Sequence, residues 1–260
     1  MKRFLVNIPY STLYDRIDDV VTRGILPEIV LDADTLDRLD KKKAFWLAEQ
    51  LQKAGLTHTF HGPFRDLSPG GVDPKIRAVT WERFNQTLDL AKIFKPRCVV
   101  FHSGFDPWRF FGHEGLWLQN SIETWRPLIE KAEQVGTILA VENVFEKEPA
   151  TILSLLEDTG SPHLGHCFDV GHLNVFGDTP MKKWMTTMAS HIVEIHLHDN
   201  DSHTDGHLPL GKGNIDFPEL SRLVRRFVKN RPLFALEPAR EEDLEASITG
   251  FDQLFAEESL

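Results

Sequence analysis

Eight short apolar runs, evenly spaced, constrain what this chain can fold into more than any other feature. They begin near Arg3, Pro27, Thr57, Arg97, Thr137, Leu164, Ile192 and Pro232. Cys98-Val99-Val100-Phe101, Ile138-Leu139-Ala140-Val141 and Leu233-Phe234-Ala235-Leu236 show no polar alternation. Strands that read as continuous apolar runs are covered on both faces, the condition of strands in a parallel sheet. Between the runs the period becomes helical. Leu39 to Ala54 sets Phe45, Leu47, Ala48 and Leu51 among charges and stops at Gly55, a residue suited to a helix exit. Asp73-Pro74 opens a long helix through Ile76, Val79, Phe84, Leu88, Ala91 and Ile93, with Asp as N-cap and Pro as first helical residue. Gly115 to Val135 and Phe217 to Val228 behave alike, the latter opening Asp216-Phe217-Pro218-Glu219.

Divided into eight, the 260 residues give repeats of about 32, the size of one βα unit. No Pro-, Gly- or Ser-rich linker interrupts them. The expected fold class is therefore α/β, one (β/α)₈ TIM barrel occupying residues 1–260 as a single domain. A doubly wound open sheet would need a Gly-rich phosphate fingerprint after its first strand, and the sequence has none there. A hydrophobic content of 41% excludes disorder, and two separated cysteines, Cys98 and Cys167, exclude a disulfide scaffold. No apolar run approaches the roughly 18 residues of a membrane span. The stretch Met1 to Pro9 is too short in apolar residues, and lacks a cleavage site, for a signal peptide. A cytoplasmic location with no membrane partner is the expectation.

The ionisable residues fall in one place. Strands three to eight end in Phe60-His61-Gly62-Pro63, Phe101-His102-Ser103-Gly104, Val141-Glu142-Asn143, Phe168-Asp169-Val170-Gly171-His172, Ile195-His196-Leu197-His198-Asp199 and Leu236-Glu237-Pro238. With 39 Asp and Glu and 12 His, six such endings by chance is on the order of 10⁻⁴ before freedom in placing the boundaries. A barrel gathers these ends on one face, where active sites sit. Carboxylates crowded there repel one another unless cations intervene, and imidazoles with carboxylates are what Zn²⁺ or Mn²⁺ takes. Asp169 and His172 read as two ligands brought inward by a tight turn, and Asp205-Gly206-His207 adds a pair in the loop after strand seven. His196 and His198 lie on the same side of their strand; His196, a layer nearer the barrel, is preferred. His58, His113, His163, His166, His191 and His203 lack such placement and read as ordinary histidines.

Taken together, these motifs resemble the xylose isomerase-like TIM-barrel superfamily, which holds sugar and sugar-phosphate isomerases and epimerases and the family 2 AP endonucleases (endonuclease IV). The likeness is carried by His61-Gly62-Pro63-Phe64, His102-Ser103-Gly104, Glu142-Asn143, Asp169-Val170-Gly171-His172, His196-Leu197-His198-Asp199, Asp205-Gly206-His207-Leu208-Pro209-Leu210-Gly211-Lys212-Gly213 and Glu237-Pro238. Carried over by motif, it implies His61 and His102 at a first ion, and Glu142 bridging to a second held by Asp169, His196 and Glu237. His172, Asp205 and His207 would hold a third. The isomerase branch implies only the Glu142, Asp169, His196 and Glu237 set, with the two glutamates moving a proton and His172 positioning a substrate hydroxyl.

Two chemistries follow. The first is isomerisation or epimerisation of a small sugar or sugar phosphate, using one to three Zn²⁺ ions or Mn²⁺, with Arg65 and Lys212 as partners for an anionic group. The second is zinc-dependent phosphodiester hydrolysis with a nucleic-acid substrate, favoured by the full nine-residue set. The chain departs from endonuclease IV after strand three, where Phe64-Arg65-Asp66-Leu67-Ser68-Pro69-Gly70 lacks the aromatic–leucine pair expected to wedge into a duplex. Strand seven also ends His-Leu-His-Asp-Asn-Asp rather than the nuclease-like His-Leu-Asn-Asp-Ala-Lys. The formal charge of −10 does not exclude a nucleic acid, since three divalent ions would bring it to about −4. The loop Phe105 to His113 is unusually aromatic; it either packs on its neighbours or covers the site, with Trp108 or Phe110 stacking on substrate.

Overall fold

The computed structural model describes residues 4–255; Met1, Lys2 and Arg3, and the stretch 256–260, lie outside them. Each apolar run is a strand: β1 (Leu5–Pro9), β2 (Leu26–Val30), β3 (Thr59–His61), β4 (Cys98–His102), β5 (Ile138–Glu142), β6 (Leu164–Asp169), β7 (Ile192–Leu197) and β8 (Leu233–Leu236). Each pairs in parallel with the next, and β8 pairs with β1 to close the barrel. Outside lie α1 (Tyr10–Arg23), α2 (Ala33–Asp37), α3 (Lys41–Lys53), α4 (Pro74–Phe94) and α5 (Glu114–Val135). They are followed by α6 (Ala150–Thr159), α7 (Val170–Phe176), α8 (Met181–Met188), α9 (Phe217–Phe227) and α10 (Leu244–Phe255). No helix among the described residues is long and apolar enough to cross a membrane.

The capping signals act as read. The Asp73 carboxylate accepts from the Lys75 amide at 2.7 Å, with Pro74 opening α4, and Asp216 accepts from the Glu219 amide of α9 at 2.7 Å. Gly55, at φ +65°, turns the chain out of α3. One local expectation fails: no tight turn follows β6. Asp169 is instead the N-cap of α7, accepting the His172 amide at 2.6 Å, and the first helical turn carries His172 to the barrel mouth.

Strand alternation splits the interior in two. Outward residues such as Val99, Phe101, Val141 and Phe168 join the helices in the large core, where Phe101 stacks on Phe84 at 3.9 Å and meets Trp125 edge-on. Inward residues form a small separate cluster of Cys98, Val100, Ala140 and Cys167. Barrel bores are usually filled by branched aliphatics. Here part of the bore is polar: beside that apolar cluster Thr59 on β3 donates to Glu194 on β7 at 3.1 Å, a bond between strands four apart that must cross it. Glu28, Thr59 and Glu194 are all fully buried.

Candidate metal centre

The barrel brings the nine expected residues to one end. Register sets His102 beside Glu142 and Asp169 beside His196 on neighbouring strands. Glu142 is the hub. Its Oε2 lies 3.2 Å from His61 Nε2 and 3.3 Å from His102 Nε2, and its Oε1 lies 3.5 Å from His196 Nδ1. His196 Nδ1 is also 3.4 Å from Glu237 Oε1 and 3.8 Å from Asp169 Oδ2. In the outer group, Asp205 Oδ2 is 3.4 Å from His172 Nε2 and 3.5 Å from His207 Nε2. Bonds of 2.0–2.1 Å to a tetrahedral ion put its donors about 3.3–3.4 Å apart, so these separations match the edges of such a polyhedron.

The histidines are oriented for this. His61 Nδ1–H donates to the Gly62 carbonyl at 2.9 Å, His172 Nδ1–H to Asn143 at 3.0 Å, and His207 Nδ1–H to Glu237 at 2.9 Å. Each leaves Nε2 facing the carboxylates, a position that becomes a lone pair for metal once its proton is displaced. His196 is turned the other way: Nε2–H donates to Glu28 Oε1 at 3.1 Å, leaving Nδ1 free. Anchoring one ring nitrogen so that the other presents a lone pair is the habit of metal-ligating histidine. Asp169 Oδ2, His196 Nδ1 and both nitrogens of His198 are buried without a hydrogen-bond partner. Buried polar atoms seldom stay unpaired, and a cation accounts for these, so the donor set fits divalent metal.

The electrostatics point the same way. Burial opposes the charge on His61, but Glu142 and the carboxylates behind it outweigh burial and lift its pKa to about 9. His207 likewise rises to about 9 against burial, through Asp205 and Glu237. Asp205 and Glu142 overcome burial and sit well below the ordinary carboxylate range, held by His172 and His207 and by His102 and His196 respectively. The metal-free site gathers positive charge onto His61, His172, His196 and His207, while burial holds His102 below the ordinary imidazole range, and divalent cations can take the place of those protons.

Several residues here were not singled out from the sequence. Glu28 of β2 orients His196, and Asn7 of β1 donates to Glu28 at 3.4 Å and to Glu237 at 3.1 Å. Asn143 binds the backbone of Asp169 through both ends of its amide, at 2.9 and 2.8 Å. The signal was present for Glu28, a lone charge inside Leu26-Pro27-Glu28-Ile29-Val30. Glu194 and Glu146 are buried too; burial first, then Glu28, pushes Glu194 up to about 8, and burial pushes Glu146 up to about 7 against its bond from Ser103.

Above the donors opens a cavity of about 530 Å³, walled by Phe64, Leu67, Phe105, Val144, Phe145 and Phe176. Arg65 lines its mouth, with its guanidinium 5.8 Å from the Phe64 ring centre, and Phe64 stacks on His102 at 4.3 Å. Lys212 is exposed and Trp108 is 91% exposed; neither lines this cavity. Trp108 borders a smaller depression of about 240 Å³ beside it, sharing Asp106, Phe145 and Phe176. The aromatic loop divides: Phe110 is buried against Phe105, while Phe111 faces solvent.

The arrangement defines a class, a closed parallel β/α barrel with a histidine–carboxylate centre at the C-terminal ends of its strands. Residues 28–254 match the family described as xylose isomerase-like TIM barrel, and the chain belongs to it. The uncharacterized protein MJ1311 of Methanocaldococcus jannaschii is 29% identical over 189 residues, 70% of this chain and 64% of its own length. The chain therefore spans less than two thirds of that relative. Among solved structures, the TTHB071 protein from Thermus thermophilus, soaked with ZnCl2, superposes with a TM-score of 0.80 at 25% identity, covering 100% of both chains. A D-tagatose 3-epimerase-like protein gives 0.81 at 23% identity over 97% of each chain, a likeness of fold.

Proposed function

We propose that this protein is a divalent-metal-dependent isomerase or epimerase of a small sugar or sugar phosphate. One observation carries the reading: Glu142 from β5 and Glu237 after β8 converge on His196 Nδ1, at 3.5 and 3.4 Å, on the floor of an aromatic-walled cavity. A volume of about 530 Å³ suits a small molecule. The fold shared with a D-tagatose 3-epimerase-like protein supports the choice of a ketose.

Glu142, Asp169, His196 and Glu237 would hold the ion central to turnover, with His61 and His102 adding donors on the far side of Glu142. Zinc or manganese suits this mixture of imidazole and carboxylate. When bound, a divalent ion supplies Lewis acidity, stabilising negative charge that develops on substrate oxygen. Glu142, ionised through its histidine neighbours, takes a proton from the carbon next to the carbonyl. Glu237, held by Asn7, faces the substrate from another strand and would donate a proton of its own to the opposite face of that carbon, inverting the centre, after which exchange with solvent returns Glu142 and Glu237 to their starting protonation. His172 has spent Nδ1–H on the Asn143 carbonyl and turns Nε2 toward Asp205, 3.4 Å away, so it serves the outer donor group beside the substrate cavity. Arg65 at the mouth meets a phosphate or carboxylate, and the phenylalanine walls exclude water.

A second reading, phosphodiester hydrolysis, is favoured by the three adjacent donor groups around Glu142, His196 and Asp205. The test sets the two against each other. Metal-loaded protein is incubated with ketoses in deuterium oxide and, separately, with an abasic-site oligonucleotide. Deuterium should enter the ketose, falling about 10²–10⁴-fold in Glu142→Gln. Strand cleavage without exchange overturns the isomerase reading.

A further inference from the structure

We propose that His198 completes a closed four-donor cation site with His172, Asp205 and His207, so that an ion there is saturated by protein and holds structure while the chemistry proceeds beside it. The proposal rests on the metal-centre reading but assigns this group a different job. His198 follows β7 and is 1% exposed, and neither of its ring nitrogens has a hydrogen-bond partner. Leaving a buried polar group unpaired costs on the order of 1–3 kcal/mol, so the ring needs a partner that is not yet accounted for. Its Nε2 is 3.2 Å from Asp169 Oδ1 and 3.8 Å from Asp205 Oδ1, but neither pair is aligned as a hydrogen bond.

Donor atoms of His172, His198, Asp205 and His207 all lie within 4.8 Å of one another. The ring is built into place. His207 lies flat against it, centroids 3.7 Å apart and planes 3° from parallel. On another side Gly171 leaves room that no other residue could: a Cβ there would stand 2.0 Å from His198 Cε1. Asn200 donates to the Gly171 carbonyl at 2.9 Å and ties that backbone down.

Three imidazoles and one carboxylate supply four protein donors, enough to close a tetrahedral zinc site, whereas catalytic sites take three protein donors and keep the fourth position open. The four donors come from the start of α7, the residue after β7 and the following loop. An ion shared by them would clip that loop over the barrel mouth. The loop is already stapled at its base, where Asp199 and Leu208 exchange backbone bonds at 2.9 and 2.7 Å.

Cobalt(II) is the probe, added alone to the metal-free full chain. A crystal of the cobalt-loaded protein should show an anomalous peak bonded to His198 Nε2 at about 2.0–2.1 Å, together with His172, Asp205 and His207. In solution the tetrahedral visible absorption should collapse in His198→Asn, with at least a tenfold faster loss of that ion to a chelator. The ion removed by His196→Ala should remain bound in His198→Asn. A peak that includes His172, Asp205 and His207 but leaves His198 unbonded overturns the proposal and keeps the metal centre. No bound cobalt anywhere overturns the metal reading itself. The wild-type crystal decides the matter even if the variant fails to fold.

Discussion

Glu28→Gln tests the orientation of the centre most sharply. The Glu28 side chain is fully buried, its Oε1 3.1 Å from His196 Nε2 and its Oε2 3.4 Å from Asn7 Nδ2. An ionised carboxylate only accepts, so it fixes the His196 proton on Nε2 and leaves the Nδ1 lone pair toward Glu142, Asp169 and Glu237. Glutamine keeps the shape but can offer its NH₂ instead. That would draw the proton to Nδ1, where it blocks the ion. Removing such an outer partner typically costs 10–100-fold in metal affinity, about 1.4–2.8 kcal/mol. Folding should suffer less, because the substitution also relieves Glu194, whose pKa burial and then Glu28 lift to about 8. Zinc affinity is read by competition with a chromogenic chelator, and the His196 tautomer by ¹⁵N imidazole shifts of the zinc-loaded protein, where the imidazole is neutral. An affinity within twofold of wild type, with the tautomer unchanged, refutes the reasoning.

Two further predictions concern stability. In metal-free protein, His61 and His207 bind protons up to about pH 9 when folded but only to about 6.5 when unfolded. Their contribution is complete below pH 6.5 and is lost as pH rises to 9; Glu146 and Glu194, raised to about 7 and 8, lose theirs from 4.5 upward. Burial holds His166 down at about 4, so its share of the stability rises with pH up to 6.5 and opposes the others there. The urea midpoint in chelator should therefore fall between pH 7 and 9, and saturating zinc should flatten the histidine part; a midpoint that rises with pH over that range contradicts this. In the aromatic loop, Phe110→Ala should cost about 3 kcal/mol, since the ring is 3% exposed, whereas Trp108→Ala at 91% exposure should stay within about 0.5 kcal/mol. Equal melting temperatures for the two variants would show that the loop does not pack as described.

The barrel was legible because its cause is local. Period, run length and caps such as Asp73-Pro74 lie within a few residues of one another, and eight repeats of them leave few architectures. The strand-end histidines and carboxylates were legible for the same reason, because closure of any such barrel brings strand ends together. Reading Asp169 to His172 as a tight turn failed because an N-cap aspartate and a turn aspartate look alike in sequence; the bond from the His172 amide is what starts a helix.

The sequence alone determined a parallel eight-stranded barrel and the set of side chains at its mouth, since both follow from periodicity and spacing along the chain. Only the tertiary structure decided which nitrogen His172, His207 and His196 present, because the carbonyls of Asn143 and Glu237 and the Glu28 carboxylate set that from other strands and their ends. It likewise placed His196 and His198 in different groups and kept Trp108 and Lys212 off the cavity. Those outcomes depend on distances between residues remote in sequence, which no local pattern encodes.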